Sequence, residues 1–151
     1  MNRDDFAGLV VEYTDRMYRI ARTILKNDED CRDAMQEAAL KAWIKRHTLR
    51  EERYFGTWLI RILINECRNI QRKRRFHVSL DDIPEPSVPA PDPALSIALQ
   101  RLDEKLRLPL VLHVSEGLSH EEISLILHLP KTTVAGRIRR AKMQLRKELE
   151  V

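Results

Sequence analysis

The sequence predicts an all-α protein with two small helical domains joined by a proline-rich, acidic linker. Only four of the 151 residues are glycine, while 43% are hydrophobic and 33% are charged, a balance typical of a folded chain rather than a disordered one. Apolar residues recur every three or four positions on both sides of residues 76–93, as they do in amphipathic helices. Residues 76–93 themselves hold five of the seven prolines and four acids without one base. Domains are therefore predicted at residues 1–75 and 94–151, with a linker at 76–93 that proline keeps extended.

Two helices are predicted before residue 45. The first carries one apolar face from Phe6 to Ile24, and Asn27 with Asp28 stops it. Acids at the start of the second helix suit the positive end of its dipole. The predicted inward stripe of the second helix consists of Cys31, Ala34, Met35, Ala38, Ala42 and Trp43. Its outward face is polar and consists of Asp33, Gln36, Glu37 and Lys41.

A third helix, at residues 55–75, combines an apolar arc with a basic ridge. The arc contains Phe55, Trp58, Leu59, Ile62, Leu63, Cys67 and Ile70. The ridge contains Arg61, Asn65, Arg68, Arg72 and the basic end Lys73, Arg74 and Arg75. A membrane-surface helix would leave the arc exposed beside its basic residues, but the neighbouring helices also have apolar faces to bury, so core packing is favoured. Trp58 stays open between the core and DNA, and Glu66 falls inside the arc without an explanation.

The second domain has sharper boundary signals. Residues 95–115 are helix-prone, and Pro109 is predicted to kink or divide them. A turn at residues 116–118 precedes a capping box, in which Ser119 caps the next helix and Glu122 reaches back. Residues 128–130 end this short helix, and a longer helix runs from residue 131 to residue 150. The predicted inward residues of the last helix are Val134, Ile138, Ala141, Leu145 and Leu149.

A short helix, a tight turn and a longer basic helix form a helix-turn-helix arrangement, here in a four-helix, winged-helix-like domain. The second helix of such a pair fits the major groove of DNA, where its first side chains contact base edges and flanking basic residues meet phosphates. The candidate DNA-binding residues are Lys131, Thr132, Thr133, Ala135, Gly136, Arg137, Arg139 and Arg140. A solvated basic face is the alternative. The net positive charge of both predicted domains, 17 bases against 12 acids and 10 against seven, favours a polyanionic partner.

Other classes of site are not indicated by the sequence. No apolar run approaches the roughly 20 residues that a membrane span requires, and Met1 is not followed by a signal-peptide core, so a soluble, cytoplasmic protein is expected. Cys31 and Cys67 have no disulfide or metal-binding spacing, which predicts two buried thiols. No catalytic, metal-binding or cofactor motif is found, and the start of a capped helix explains His120 beside two acids.

Three segments carry motifs that recur together in one family. They are DAMQEAALKAW (33–43), FGTWLIRILINECRNIQRKRR (55–75) and EGLSHEEISLILHLPKTTVAGRIRRAKMQLRKEL (116–149). In this order they resemble the polymerase-binding helix, the promoter −10 helix and the promoter −35 domain of bacterial RNA polymerase sigma factors. The closest resemblance is to the extracytoplasmic-function group of the sigma-70 family.

The resemblance implies a sigma factor, which binds core RNA polymerase and directs initiation at promoter DNA through its −10 and −35 elements. It also implies control by an anti-sigma factor, commonly membrane-anchored, and neither a cofactor nor an enzymatic activity. The implied polymerase-binding residues are Asp33, Gln36, Glu37 and Lys41. The implied −10 residues are Arg61, Asn65, Arg68, Arg72 and Lys73, with a pocket for an extruded base in residues 45–53. The eight candidates of the last helix, named above, would read the −35 element.

The chain departs from the family pattern at several positions. His128 and Thr132 stand where members commonly have glycine, and Ala135 and Gly136 stand where lysine and serine are usual. An unusual −35 preference is therefore expected. Pro109 lies where members have an aliphatic residue, which implies a distorted helix before the turn.

The competing hypothesis is an autonomous helix-turn-helix transcriptional regulator that uses only the second domain. Such regulators usually dimerise to reach two half-sites, and the sequence contains no dimerisation heptad. A sigma factor should instead depend on core polymerase and on a two-part promoter.

Overall fold

The computed structural model describes residues 1–75 and 92–150 and divides the chain into two compact units, Met1–Glu85 and Pro86–Val151. All regular elements in the two described ranges are helices, which confirms the predicted all-α class. The first unit contains α1 (Arg3–Ile24), α2 (Asp28–Ile44), two 3-10 turns (Arg46–Thr48 and Glu52–Tyr54) and α3 (Phe55–Arg75). The second unit contains α4 (Pro93–Arg101), α5 (Glu104–Val114), α6 (His120–Leu127) and α7 (Lys131–Leu149). Residues 76–91 of the predicted linker lie outside the described residues, and its last two residues cap and begin α4.

Asparagine side chains set where the first two helices begin. Asn2 Oδ1 accepts a hydrogen bond from the Asp5 backbone N–H at 2.8 Å, and Asn27 Oδ1 accepts one from the Asp30 N–H at 2.7 Å. Each bond satisfies a backbone donor that has no partner within the helix. Asn27 was predicted to end α1. In the structure α1 ends two residues earlier, at its C-cap Leu25, and Asn27 is the N-cap of α2.

Small side chains let α2 and α3 pack closely. Cys31, Ala34, Ala38 and Ala42 of α2 are all completely buried. The buried side chains of α3 include four larger aliphatic ones, Leu59, Ile60, Leu63 and Ile64. The pairing of small with large side chains fills the core and brings the two helices together along most of their length.

The buried face of α3 is wider than the predicted arc and is displaced to one side. Ile60 and Ile64 are almost completely buried, although neither was assigned to the arc, whereas Ile62 and Ile70 are only half-buried. The reason is that α3 packs against both α1 and α2. The spacing of apolar residues predicts the helix, but it does not predict which further residues the two packing helices bury.

In the second unit the predicted division of residues 95–115 occurs at a different place. The break lies at Leu102 and Asp103, between α4 and α5, whereas Pro109 is buried inside a continuous α5. The Arg107 guanidinium donates to the Leu102 carbonyl at 2.9 Å and so satisfies one carbonyl at the end of α4. Pro109 gives up only one backbone bond, the one that its missing N–H would have made to residue 105. Burial of its ring in the core offsets that loss.

Candidate nucleic-acid and partner interfaces

The outward face of α2 continues beyond the residues predicted from the sequence. Asp33, Gln36 and Glu37 are exposed, as a binding surface requires. Leu40 and Ile44 follow on the same face and are 53% and 59% exposed. Neither residue was assigned to this face from the sequence, although both continue the three- and four-residue spacing that begins at Asp33. The face is therefore acidic at one end and apolar at the other, a combination suited to a protein partner.

Lys41 has an ion-pair partner on α3. Its Nζ lies 2.6 Å from Oε1 of Glu66 on α3, and the Glu66 side chain is only 8% exposed. This ion pair explains why an acid occupies the apolar arc of α3. The hydrogen bond that Lys41 donates to Glu66 raises the pKa of the Lys41 ammonium, which keeps it charged.

The predicted DNA ridge of α3 is mostly solvent-accessible. Arg61, Asn65 and Arg72 are exposed and Arg68 is half-buried. The Arg72 guanidinium donates to Asn69 Oδ1, which holds it along the helix surface. Lys73 is exposed too, but it projects about 100° around the helix from its neighbour Arg72.

Arg74 was also predicted to belong to this ridge, and in the structure it binds an acid of α2. Its Nε donates to Asp30 Oδ2 at 3.0 Å and its Nη2 donates to Asp30 Oδ1 at 2.8 Å. The Asp30 side chain is 10% exposed. This two-point geometry is the strongest that arginine makes with a carboxylate, so Arg74 joins the end of α3 to the start of α2.

A cavity of about 430 Å³ lies where residues 46–52 meet the starts of α1 and α3. Arg46 and Arg50 bring hydrogen-bond donors to its walls and Glu52 brings acceptors. Trp58 also lines the cavity. The indole N–H of Trp58 donates to Thr48 Oγ1 at 3.2 Å, and its half-buried ring lies 5.8 Å from the Phe55 ring. The sequence left Trp58 open between the core and DNA. In the structure its ring both packs on the core and forms part of the cavity wall.

A second aromatic stack supports this cavity. The rings of Trp43 and Phe6 form a T-shaped pair with 5.2 Å between centroids, and the Arg46 guanidinium lies 3.7 Å from the Trp43 centroid. Arg46 also donates to the Trp43 carbonyl at 2.8 Å. The contacts hold the backbone where α2 ends and the first 3-10 turn begins, and no local pattern predicted the Arg46 contact.

The turns of the predicted helix-turn-helix are defined by their hydrogen bonds. Gly117 has a φ of 71°, which glycine adopts without strain, and the Leu118 N–H donates to the Leu112 carbonyl at 3.0 Å. Ser119 Oγ accepts from the Glu122 N–H, and Glu122 Oε1 accepts from the Ser119 N–H, both at 3.1 Å. The predicted capping box is thus confirmed. His128 ends α6 in the left-handed conformation, with φ 55° and ψ 46°.

The last helix, α7, packs one side on its unit and exposes a basic side. Val134, Ile138 and Ala141 are buried as predicted, whereas Leu145 is half-buried and Leu149 is 45% exposed. The predicted inward pattern therefore holds as far as Ala141 and weakens beyond it. Four candidate residues are exposed: Lys131, Thr132, Arg139 and Arg140. Four are half-buried: Thr133, Ala135, Gly136 and Arg137.

The start of α7 has room for close approach by a ligand. A Cβ atom added to Gly136 would meet nothing within 4 Å, so this glycine is not needed for packing. Lys131 Nζ lies 3.7 Å from Glu121 Oε2 at a solvent-exposed position, where an ion pair contributes little. Gly136 therefore faces open space, and Lys131 is exposed to solvent.

Residues 1–75 and 92–150 contain no group of three or more His, Cys, Asp or Glu side chains that could hold a metal ion. Cys31 and Cys67 are buried free thiols, and burial raises the pKa of Cys31 to about 11. Among the described helices, none combines the length and the apolarity that crossing a bilayer requires.

Comparison with known proteins matches both units. Sigma-70 region 2 matches residues 9–77, and Sigma-70, region 4 matches residues 94–145. The ECF RNA polymerase sigma factor SigW of Bacillus subtilis (strain 168) is 31% identical, over 98% of this chain and 90% of that protein. The RNA polymerase sigma-H factor of Pseudomonas aeruginosa is also 31% identical, over 96% of this chain and 86% of that protein.

Two solved structures share the fold. The sigma factor RpoE of Bartonella quintana, in complex with the anti-sigma factor NepR, gives a TM-score of 0.84 at 25% identity and covers 97% of this chain and 98% of that one. CnrH, in complex with the cytosolic domain of CnrY, gives a TM-score of 0.74 at 26% identity and covers 99% of this chain and 90% of that one. The chain belongs to the sigma-70 family of RNA polymerase sigma factors, within its extracytoplasmic-function group.

Proposed function

We propose that this chain binds core RNA polymerase and directs it to promoters, reading the −10 element with its first unit and the −35 element with its second. The observation that carries this proposal is the presence of two basic helical faces, on α3 and on α7, in the two units that the sigma region 2 and region 4 models match. Polymerase supplies the catalysis, so the role of this chain is binding rather than enzymatic. Its partners place its activity in the cytoplasm.

The polymerase-binding surface is proposed on the outward face of α2. Asp33, Gln36 and Glu37 supply its polar part, and Leu40 and Ile44 add an apolar part that polymerase would cover. Exposed aliphatic side chains beside charged ones are typical of protein interfaces. Lys41 borders this surface with 38% of its side chain exposed and its ammonium on Glu66.

The −10 interface is proposed on α3 and the adjoining cavity. Arg61, Asn65, Arg68, Arg72 and Lys73 would hold the DNA backbone, since basic and amide side chains bind phosphate and sugar oxygens. The cavity beside Trp58 would receive a base extruded from the opened duplex. A free base offers its π-face to aromatic side chains and its edge to donors and acceptors, and this cavity has both kinds of group.

The −35 interface is proposed on the first half of α7. Lys131, Thr132, Thr133 and Ala135 lie at its N-terminal end, from which side chains of a recognition helix reach base edges. Gly136 and Arg137 continue this side, and Arg139 and Arg140 would meet phosphates. The absence of a Cβ at Gly136 allows the backbone to come close to the groove.

Control by an anti-sigma factor is part of the proposal. Two structural relatives were solved in complexes, RpoE with the anti-sigma factor NepR and CnrH with the cytosolic domain of CnrY. An anti-sigma factor of this chain would cover the faces proposed for polymerase and DNA, and membrane anchoring of that factor would couple release to an external signal.

Run-off transcription with purified core polymerase tests the proposed function. Promoters are first selected from random DNA with the reconstituted holoenzyme and are then transcribed with and without this chain. Initiation that depends on the chain and on two separate DNA elements is expected. Transcription indifferent to the chain would contradict the proposal, and tight, polymerase-independent binding to a symmetric site would favour the autonomous regulator.

A further inference from the structure

Two buried acids in the first unit have no role in the interfaces described so far. Counted as whole residues rather than side chains, Asp30 is 7% exposed and Glu66 is 6% exposed. Carboxylates are seldom buried to this extent unless they are paired, because removing the charge from water is costly. Each is paired across the same two helices: Asp30 of α2 with Arg74 of α3, and Glu66 of α3 with Lys41 of α2.

The two ion pairs have opposite polarity, because each helix contributes the acid to one pair and the base to the other. Together they fix the register of α2 against α3. The start of α2 meets the end of α3, and the end of α2 meets the middle of α3, so the helices run in opposite directions. The acid belongs to α2 in the Asp30–Arg74 pair and to α3 in the Lys41–Glu66 pair. Sliding α3 until Glu66 faced Asp30 would oppose two carboxylates. The opposite polarity therefore favours one register over its alternatives, a use of buried ion pairs that is known from other helical assemblies.

The same pairs determine which way the DNA ridge points. At 100° per residue, Glu66 and Arg74 lie within about 80° of each other on one side of α3. Arg61, Arg68 and Arg72 lie roughly 180° from the midpoint of that pair, on the opposite side of the helix. Turning α3 by one residue would break both ion pairs and would carry the ridge about 100° away from its present direction.

We propose that Glu66 and Asp30 are positioning residues for the −10 interface, which hold α3 in the rotation that turns its basic ridge toward promoter DNA. The inference rests on the proposed function of α3. Neither acid contacts DNA, and each acts through the base that it holds. Arg74, although it lies within a run of four basic residues, works through Asp30 rather than as a phosphate contact.

Charge reversal and charge exchange test the proposal in the full chain bound to core polymerase. Glu66→Lys places a second positive charge beside Lys41. The double variant Glu66→Lys with Lys41→Glu restores the ion pair with acid and base exchanged between the helices. Thermal unfolding first gives the melting temperature of each variant. Two affinities are then measured well below that temperature: the affinity for core polymerase, and the holoenzyme affinity for a selected promoter opened at its −10 element. Glu66→Gln provides a milder single change in case Glu66→Lys does not fold. Arg101→Glu, which breaks the exposed Arg101–Glu148 pair of the second unit, is the matched control.

Glu66→Lys is expected to lower −10 affinity about tenfold while core-polymerase affinity changes less than about threefold, and the exchange should recover most of the loss. Glu66→Gln should lower −10 affinity in the same direction by a smaller factor, and Arg101→Glu should not lower it. Unchanged −10 affinity in the folded Glu66 variants would overturn the positioning role while leaving the proposed function intact. An equal loss in both affinities would assign Glu66 to stability alone. No −10 binding by the wild-type holoenzyme would instead refute the proposed function.

Discussion

At position 128 a histidine holds a backbone conformation that glycine adopts more easily. With φ 55°, it has the one positive φ among the non-glycine residues in the described ranges. In this conformation a Cβ atom crowds the following carbonyl, which costs roughly 1–2 kcal/mol. The residue lies in the turn between α6 and α7, so its strain bears on the geometry of the helix-turn-helix.

His128→Gly is therefore predicted to be more stable than His128→Ala by about 1 kcal/mol. Both variants remove whatever the imidazole contributes, and only the alanine variant keeps the crowded Cβ. The midpoint and slope of urea unfolding of the full chain give the two free energies of unfolding. Equal stability of the two variants would mean that the turn relaxes without cost.

Arg72 and Arg74 are predicted to respond differently to the same substitution. Arg72→Gln should reduce by about one the slope of log affinity against log salt concentration, since a phosphate contact and its counterion are lost. Arg74→Gln should leave that slope unchanged and lower the melting temperature, because Arg74 is engaged with Asp30. Holoenzyme binding to promoter DNA at several salt concentrations distinguishes the two. A reduced slope for Arg74→Gln would return that residue to the DNA ridge.

At the residue scale, the sequence does not predict which partner a charged side chain has in the folded chain. Arg72 and Arg74 are both arginines in one basic run, and helical spacing places them on different sides without saying what lies opposite. Glu66 has the same difficulty, since an acid in an apolar arc has no visible reason until Lys41 is found 2.6 Å away. Pairings across 25 and 44 residues of sequence depend on how the helices pack, which no local pattern contains.

At the scale of single elements, α6 shows how local chemistry fixes a helix. Its capping box and its C-terminal turn are complete, and residues 119–130 contain every side chain needed to form them. The helix has only eight residues, too few to be stable alone, so its caps and its contacts with α7 determine whether it forms.

Ser119→Ala is predicted to lower the free energy of unfolding by about 1 kcal/mol, because the Glu122 N–H loses its acceptor. Ser119→Thr keeps a hydroxyl at the cap and should retain most of that stability. Urea unfolding of the full chain compares the three proteins. If the threonine variant were as unstable as the alanine variant, the hydroxyl would not be the group that matters.

Elements with local signals were predicted well, and elements defined by packing were not. The capping box, the turn at Gly117 and the polar face of α2 follow from short motifs and helical spacing. The break between α4 and α5 was missed because Leu102 continues the spacing of its neighbours, and Pro109 is the stronger helix breaker in isolation. The cavity beside Trp58 was expected only as a pocket somewhere in residues 45–53. Its walls come from three separate parts of the chain.

At the scale of the whole molecule, the acidic face of α2 is predicted to decide recruitment to polymerase. Glu37→Lys should weaken binding to core polymerase about tenfold, since it replaces an exposed acid of the proposed surface by a base. Glu12→Lys makes the same change of net charge on the exposed side of α1 and serves as the control. Direct binding to fluorescently labelled core polymerase measures both. Equal losses for the two variants would indicate a general charge effect instead of a defined surface.

The two units are predicted to contribute independently to promoter affinity. Asn65→Ala in the first unit should cost about 1 kcal/mol if its amide bonds the DNA backbone. Arg137→Ala in the second should cost about 1–3 kcal/mol if its guanidinium contacts a base. The two residues belong to separate compact units, and substitutions without shared partners add to within about 0.5 kcal/mol.

Holoenzyme affinities for one selected promoter, measured for the wild type, both single variants and the double variant, give the coupling energy directly. The same affinities measured on DNA with an altered −35 element separate base recognition from phosphate contact. If Arg137 contacts a base, Arg137→Ala should lower the affinity less on the altered DNA than on the selected promoter. A coupling energy above about 1 kcal/mol would mean that the contact of one unit with promoter DNA changes that of the other. Additivity would mean that each unit reads its own element and that the promoter and the polymerase bring the two readings together.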